Sequence, residues 1–432
     1  MARERGHEIV AALLVGGTEK LRPGEAIDVG APLIPMRGDR MSSLGEAIAA
    51  HRPEAVLDLS DEPVLGYRER MELAAVTLSA GLPYLGPDFR LDPPIEGPPL
   101  PVPTLAVFGT GKRTGKTAIA GAVARLAAEM GLSPVVVAMG RGGPAEPEVV
   151  EAGSVDLERL LALAREGRHA ASDHLEDAMT TGVTTVGARR AGGGLAGAPW
   201  ASNVREAAEL AAAREPGLVI LEGSGSAVPP VPWDAGVHVV PASAPAEYLG
   251  GYLGPFRLLL SDLAVLTMAG DPDRGTDGGS ENLSALRSRL RRYLGDARYV
   301  VTDFSPVPLA DVQGRRAFFA TTAPETVAEG QVRHLGSAHG CTVVGWSARL
   351  ADREGLTDDL DEADDYDVLL TELKAAAVDV ACERALGRGA EVVFVDNRAV
   401  EIEGETGLDA ALRPVIEAAR ERGRERREPS RG

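Results

Sequence analysis

VFGTGKRTGKTAIAGAVARL, residues 107–126, sets three glycines, two lysines and three threonines between an apolar run and an amphipathic one. Ahead of it, TLAVF (104–108) has the character of a buried strand. Behind it, Ile119, Val123, Leu126 and Met130 recur at the spacing of one helix face, and Gly131 is placed to end that helix. Strand, glycine loop and helix in this order bring backbone N–H groups and the positive helix end together on phosphate. The strict pattern G-x-x-x-x-G-K-[ST] fails by one position, because it asks for glycine at 110. Thr110 stands there, with glycines at 109 and 111. The chemistry survives that slip. Gly109, Thr110, Gly111 and Gly115 form the expected nucleotide-binding backbone, Lys116 reaches the terminal phosphates, and the Thr117 hydroxyl is offered to Mg2+.

Outward from this loop the chain alternates strands and helices. PVVVAM (134–139), GLVILEGSGS (217–226), VHVV (237–240) and LAVLTM (263–268) read as strands, and Asn203 with Glu206 three residues on reads as a capped helix start. Such alternation predicts an α/β fold, a mostly parallel P-loop sheet with ligands at the carboxyl ends of its strands and smaller α/β domains on either side. Upstream, YRERMELAAVTLSAG (67–81) has helical spacing, and the proline-rich LDPPIEGPPLPVPT (91–104) reads as a stiff connector. Downstream, RAFFATTAP, CTVVGWS, YDVLLTELKAAAVDVACERALGRG and AEVVFVDN repeat the alternation. The expected division is an N-terminal α/β domain (1–97), a P-loop domain (98–310), a C-terminal α/β domain (311–410) and a charged tail (411–432) whose end, AARERGRERREPSRG, reads as helical at first and then frayed.

Composition narrows the function. With 64 acidic and 45 basic side chains the net charge is −19, which argues against nucleic-acid binding. An apolar stretch long enough to span a membrane is missing, and MARERGHEIVAALLVGG lacks the length of a secretory signal, so the expected setting is the cytoplasm, away from membranes. Cys341 and Cys382 have no partner at metal-ligand spacing and read as buried small side chains.

An anionic substrate then requires a local positive pocket inside an acidic protein. Lys112, Arg113, Arg141, the pair Arg189–Arg190 ahead of GGG (with Gly193 among them) and Arg257 are its candidates, since guanidinium beside glycine suits bidentate phosphate binding. Glu222, at the end of LVILE, is placed to organise a metal, and Gly223 after it is expected to bring backbone close to a substrate phosphate. RHAASDHLEDA gathers His169, Asp173, His174, Glu176 and Asp177; Asp173 is the expected metal or water ligand, while His174 and Glu176 read equally well as a solvated helix start.

GTGKRTGKT resembles the loop of dethiobiotin synthetase-like proteins, P-loop enzymes that use ATP for ligase chemistry. With PVVVAMGRGGPAEPEVV, HAASDHLEDA, GARRAGGGLAG, SNVREAAELA, LEGSGSAVPPV, GYLGPFRLLLSDLAVLTM and ELKAAAVDVA in order, the chain from about residue 8 to 400 resembles the cyclic 2,3-diphosphoglycerate synthetase family. That resemblance implies an ATP-dependent ligase, aided by Mg2+ and K+, that closes an intramolecular phosphoanhydride in 2,3-bisphosphoglycerate, and it makes a homodimer a reasonable expectation. Lys116, Arg113, Lys112 and Glu222 are the expected catalytic set. Two alternatives stay open: a kinase acting on 2-phosphoglycerate or a similar acid, and a nucleotide-switched binding protein. Against the switch, the position five before the P-loop lysine is Gly111 where such proteins carry a lysine.

Overall fold

Thr104–Gly109 is buried along its whole length and lies inside a run of parallel strands in a computed structural model describing residues 3–16, 29–251, 253–270, 279–295, 298–402 and 405–427. From one side that run is Thr184–Ala191, Pro134–Gly140, Leu218–Glu222, Thr104–Gly109, Ala235–Pro241, Leu263–Thr267 and the start of Tyr299–Pro308. Near-continuous apolar strands suit a parallel sheet covered on both faces.

The last of these strands changes company partway. Val300 and Val301 pair in parallel with Val265 and Leu266, whereas Thr302 to Pro308 pair antiparallel with Glu401 to Val395. Beyond Glu391–Glu401 the sheet continues through Val368–Thr371, Arg316–Ala320 and Thr342–Ser347, parallel to one another. Two parallel halves therefore meet at one antiparallel seam. Each seam strand pairs with its own half by its first residues and with the other seam strand by its last, so the carboxyl ends of both halves point towards the seam. Since parallel sheets bind ligands at those ends, both halves address one cleft.

Packing follows from helix faces. Lys116–Glu129 buries Ile119, Val123 and Leu126 on one face of the first half, and Val204–Ala212 covers the other. The N-terminal segment adds the short strands Val56–Leu57, Tyr84–Leu85 and Arg90–Leu91 with helices Arg40–His51 and Tyr67–Ser79, and docks Leu65 and Leu73 in a cluster with Ala196, Leu253 and Phe256. Both cysteines are buried and free. Among the described residues no helix is long and apolar enough to cross a membrane.

Two local expectations need correction. The segment read as a charged tail, helical at first, does form helix Leu408–Arg427, but it is no loose tail, because it buries Leu412, Val415, Ile416 and Ala419 against the helix that follows the phosphate loop. Its far end is fastened by Arg422 to Asp262 at 2.8 Å and by Arg426 to Asp234 at 2.7 Å; residues 428–432 lie outside the described residues. The apolar spacing was present but sat among arginines and glutamates. Asn203 does precede a helix, yet its side chain makes no cap bond. Its Oδ1 accepts from the Arg189 N–H at 2.7 Å, and its Nδ2 donates to the carbonyls of Pro144 and Ala145.

Candidate active site

The phosphate loop is shaped by glycine where glycine is needed. Gly115 precedes helix Lys116–Glu129 with φ +90°, and a Cβ there would stand 2.4 Å from Cζ of Phe304 on the seam strand. Gly109 is equally confined, since a Cβ would lie 2.8 Å from the Val239 carbonyl oxygen. Gly111 has open space around it, and Thr110 donates its N–H to Val239 O at 3.3 Å. Thr267 Oγ1 donates to Thr114 O at 2.8 Å, tying the loop to a neighbouring strand. The seam thus bears on the nucleotide loop directly.

Lys116 is buried and donates to Gly111 O at 2.6 Å and Thr114 Oγ1 at 3.3 Å. Burial lowers its pKa to about 8, against the pull of the Glu222 and Asp173 carboxylates. Thr117 Oγ1 donates to Glu222 Oε1 at 2.7 Å. Glu222 is itself buried, with Oε2 free of any hydrogen-bond partner. Behind it lies Asp177, 1 % exposed, on helix Asp173–Thr181. Burial pushes the Asp177 carboxyl well above its usual range and the charge of Glu222 adds to that, while burial and Asp173 raise Glu222. Neither Asp177 carboxylate oxygen has a hydrogen-bond partner, so its charged form is the more strongly disfavoured of the two. Sequence reasoning named Asp177 only within an acidic cluster and gave it no role.

Among the described residues no group of three or more His, Cys, Asp or Glu side chains forms a metal cage. Mg2+ beside nucleotide phosphates needs only about one or two protein oxygens. The Thr117 hydroxyl and the free Glu222 Oε2 fit that requirement.

The basic candidates divide. Arg190 is buried and donates from Nη2 to Ser224 O at 2.6 Å and from Nη1 to Gly192 O, while its Nε has no partner. Burial lowers its pKa, and the charge of Arg141 lowers it further. Lys112 reaches the same place, for a Cβ on Gly225 would meet Arg190 Nη2 at 2.9 Å and Lys112 Cγ at 3.7 Å; one on Gly193 would stand 3.6 Å from Arg190 Nη1. Arg113, Arg141 and Arg189 are exposed, and Arg113 holds a left-handed φ of +55° at the loop tip. The expected pairing of Arg189 with Arg190 fails for a plain reason: both lie on strand Thr184–Ala191, where successive side chains point to opposite faces. Arg257 is buried with its pKa lowered to about 10 by burial, and it donates to Ser226 O at 2.7 Å. It grips the loop after Glu222 without belonging to the Lys112–Arg190 group. Gly223 serves packing, because a Cβ would meet Ala227 O at 2.8 Å.

Asp173 remains open to solvent, although protein surrounds most of it; burial raises its pKa while Lys374 and Lys116 hold it down. His174 is no solvated helix start. Its ring packs over Gly187, and burial drops its pKa to about 4. Glu176 bonds to Lys374 across the cleft at 3.2 Å. Lys374 follows the C-terminal-half strand Val368–Thr371, as does Glu372, whose buried carboxylate accepts from Thr321 Oγ1 at 2.9 Å, Thr322 Oγ1 at 2.7 Å and Asn397 Nδ2 at 2.7 Å. None of these was singled out from sequence, although ELKAAAVDVA contains two of them. A second tie between the halves runs from Arg125, on the helix after the phosphate loop, to Asp396 on the seam at 3.0 Å.

Known proteins match this chain over most of its length. Three domain descriptions match: the N-terminal domain of cyclic 2,3-diphosphoglycerate synthetase over residues 1–92, its P-loop domain over 104–297 and its C-terminal domain over 308–398. A cyclic 2,3-diphosphoglycerate synthetase from Rubrobacter xylanophilus is 46% identical over 416 residues, covering 96% of this chain and 92% of that protein. Proteins of the same name from Methanothermobacter thermautotrophicus and Thermococcus sibiricus are 41% and 40% identical, covering 95% and 94% of this chain and 90% and 92% of their own.

Proposed function

This chain belongs to the cyclic 2,3-diphosphoglycerate synthetase family, and from that premise we propose that it is an ATP-dependent ligase closing an intramolecular phosphoanhydride in 2,3-bisphosphoglycerate, with release of ADP and phosphate. The observation that carries the reading is the placement of two differently built anion sites in one cleft. The phosphate loop with Lys116, Thr117 and Glu222 suits the nucleotide, and the adjoining Lys112–Arg190 group suits a second polyanion.

The chemistry sets the demand. Joining two phosphates of one small acid forces like charges together, so fixed cations must neutralise them first. Bound at Thr117 and Glu222, Mg2+ supplies charge neutralisation on the nucleotide phosphates. Lys116 and Arg113 stabilise the γ-phosphoryl group as it passes from ATP to one phosphate of the substrate, leaving ADP. Lys112 and Arg190, with Arg141 at the rim, hold the second phosphate, whose oxygen attacks the activated phosphorus and expels inorganic phosphate. Phosphoryl transfer needs positioning and electrostatic stabilisation rather than a covalent residue. We extend the reading to K+ stimulation and a homodimer on the strength of the family resemblance, and to a cytoplasmic setting on the composition of the chain.

The route has an isotopic test. With 18O in the substrate phosphates, the expelled phosphate must carry one labelled oxygen. Unlabelled phosphate formed together with cyclic product would overturn direct activation of the substrate.

A further inference from the structure

We propose that Lys374, supplied by the C-terminal half, is a substrate-contacting residue that binds a phosphate group of the bisphosphorylated substrate from the cleft wall opposite the phosphate loop. The proposal rests on the reading above for the substrate's identity, and on separate observations for the site. Lys374 stands just beyond the carboxyl end of Val368–Thr371, the end of the second half that faces the seam. Its side chain is 37% exposed, so it is not closed inside the sheet. One ion pair, to Glu176 Oε1 at 3.2 Å, leaves further N–H donors of the ammonium for a ligand.

Its surroundings fix it in place. Glu372, two residues earlier, is 2% exposed and is saturated by Thr321, Thr322 and Asn397, so it acts as a rigid anionic base under the lysine. Burial works against the Lys374 ammonium, but Glu176 and Glu372 outweigh it and keep the charge in place. The backbone is also held out of ordinary geometry: Ala375 takes φ +48°, a left-handed conformation without glycine, and a π-helix, Ala377–Cys382, follows at once. Such departures persist where surrounding structure over-determines them, often at functional sites. The charges of both Lys374 and Lys116 act on the Asp173 carboxylate and hold its pKa down against burial. A purely structural ion pair requires neither the solvent opening nor the strained turn.

The test uses the full-length protein in two arms. In the first, isothermal titration calorimetry without ATP compares binding of 2,3-bisphosphoglycerate to wild type and to Lys374→Met, with ADP as the comparison ligand. Severalfold weaker binding of the bisphosphate and unchanged binding of ADP are expected for Lys374→Met; equal binding of the bisphosphate to both proteins overturns the proposal. If wild type binds the bisphosphate through Lys374 but forms no cyclic product with ATP, the anion site stands and the synthetase reading falls. In the second arm, Lys374→Met should raise KM for 2,3-bisphosphoglycerate about tenfold or more, the scale of a lost charge-assisted hydrogen bond. KM for ATP should stay near wild type, and Lys374→Arg should recover part of the loss. Glu176→Gln, which cuts the ion pair but keeps the ammonium, should change KM for the bisphosphate much less. Equal effects of Lys374→Met and Glu176→Gln, or a loss of thermal stability with no change in KM, would reduce Lys374 to a structural tie.

Discussion

Gly115→Ala tests whether the seam strand forms one wall of the nucleotide loop. Two separate costs are built into the substitution. At φ +90° an L side chain is strained, at roughly 1–2 kcal/mol. The new methyl carbon would also lie 2.4 Å from Phe304 Cζ and 2.6 Å from Cε2, so the ring or the loop has to shift. Overpacking of that kind costs about 1–3 kcal/mol. Together they give roughly 2–5 kcal/mol, to be read in ATP affinity with a fluorescent nucleotide and in thermal melting. Phe304→Ala separates the terms, because it relieves the overlap and leaves the backbone strain. In the double variant the loss should shrink to the strain alone, with a coupling of about 1–3 kcal/mol between the sites. Additive losses would refute the reasoning, for they would mean that Phe304 does not bear on the loop.

Other expectations follow from buried charge. Arg426→Ala strips Asp234 of a bidentate partner and should destabilise the protein by roughly 3 kcal/mol, measured by denaturant unfolding, whereas Arg424→Ala on the same helix should be near neutral. His238 is fully buried with both ring nitrogens unpartnered, and burial lowers its pKa to about 3. Between pH 6.5 and 3 the unfolded chain binds a proton at this residue that the native fold refuses, so stability falls as pH falls across that window. The loss should be about 2 kcal/mol at pH 5, and His238→Leu should flatten the decline in Tm between pH 7.5 and 5. An unchanged slope would show that another group carries the acid sensitivity.

The nucleotide half of the site was legible because its chemistry is local. Strand, glycine loop, Lys116 and Thr117 occupy fourteen consecutive positions, 104–117, and the strand end bearing Glu222 followed from an apolar run stopping at an acid. What sequence could not place came from pairings distant along the chain. Phe304 meets Gly115, Lys374 meets Glu176, and Arg125 meets Asp396 only because the strand beginning at Tyr299 switches from parallel to antiparallel partners. Nothing in local periodicity marks that switch. Arg189 and Arg190 show a different failure. Adjacent arginines invite reading as a pair, but strand alternation buries one and exposes the other. The docking of helix Leu408–Arg427 was missed for a third reason, since its narrow apolar stripe is flanked by so much charge that the segment, expected to start as helix, reads as a loose tail.

The central claim is that one cleft holds ATP and a bisphosphorylated acid and joins the acid's two phosphates. A phosphorus NMR time course with purified protein, ATP, Mg2+, K+ and 2,3-bisphosphoglycerate tests it most directly, with Lys116→Ala as control. New upfield phosphoanhydride resonances should grow in step with ADP and inorganic phosphate, and Lys116→Ala should abolish them. ATP turnover indifferent to the bisphosphate, or transfer that stops at a phosphorylated acid without ring closure, would contradict the account.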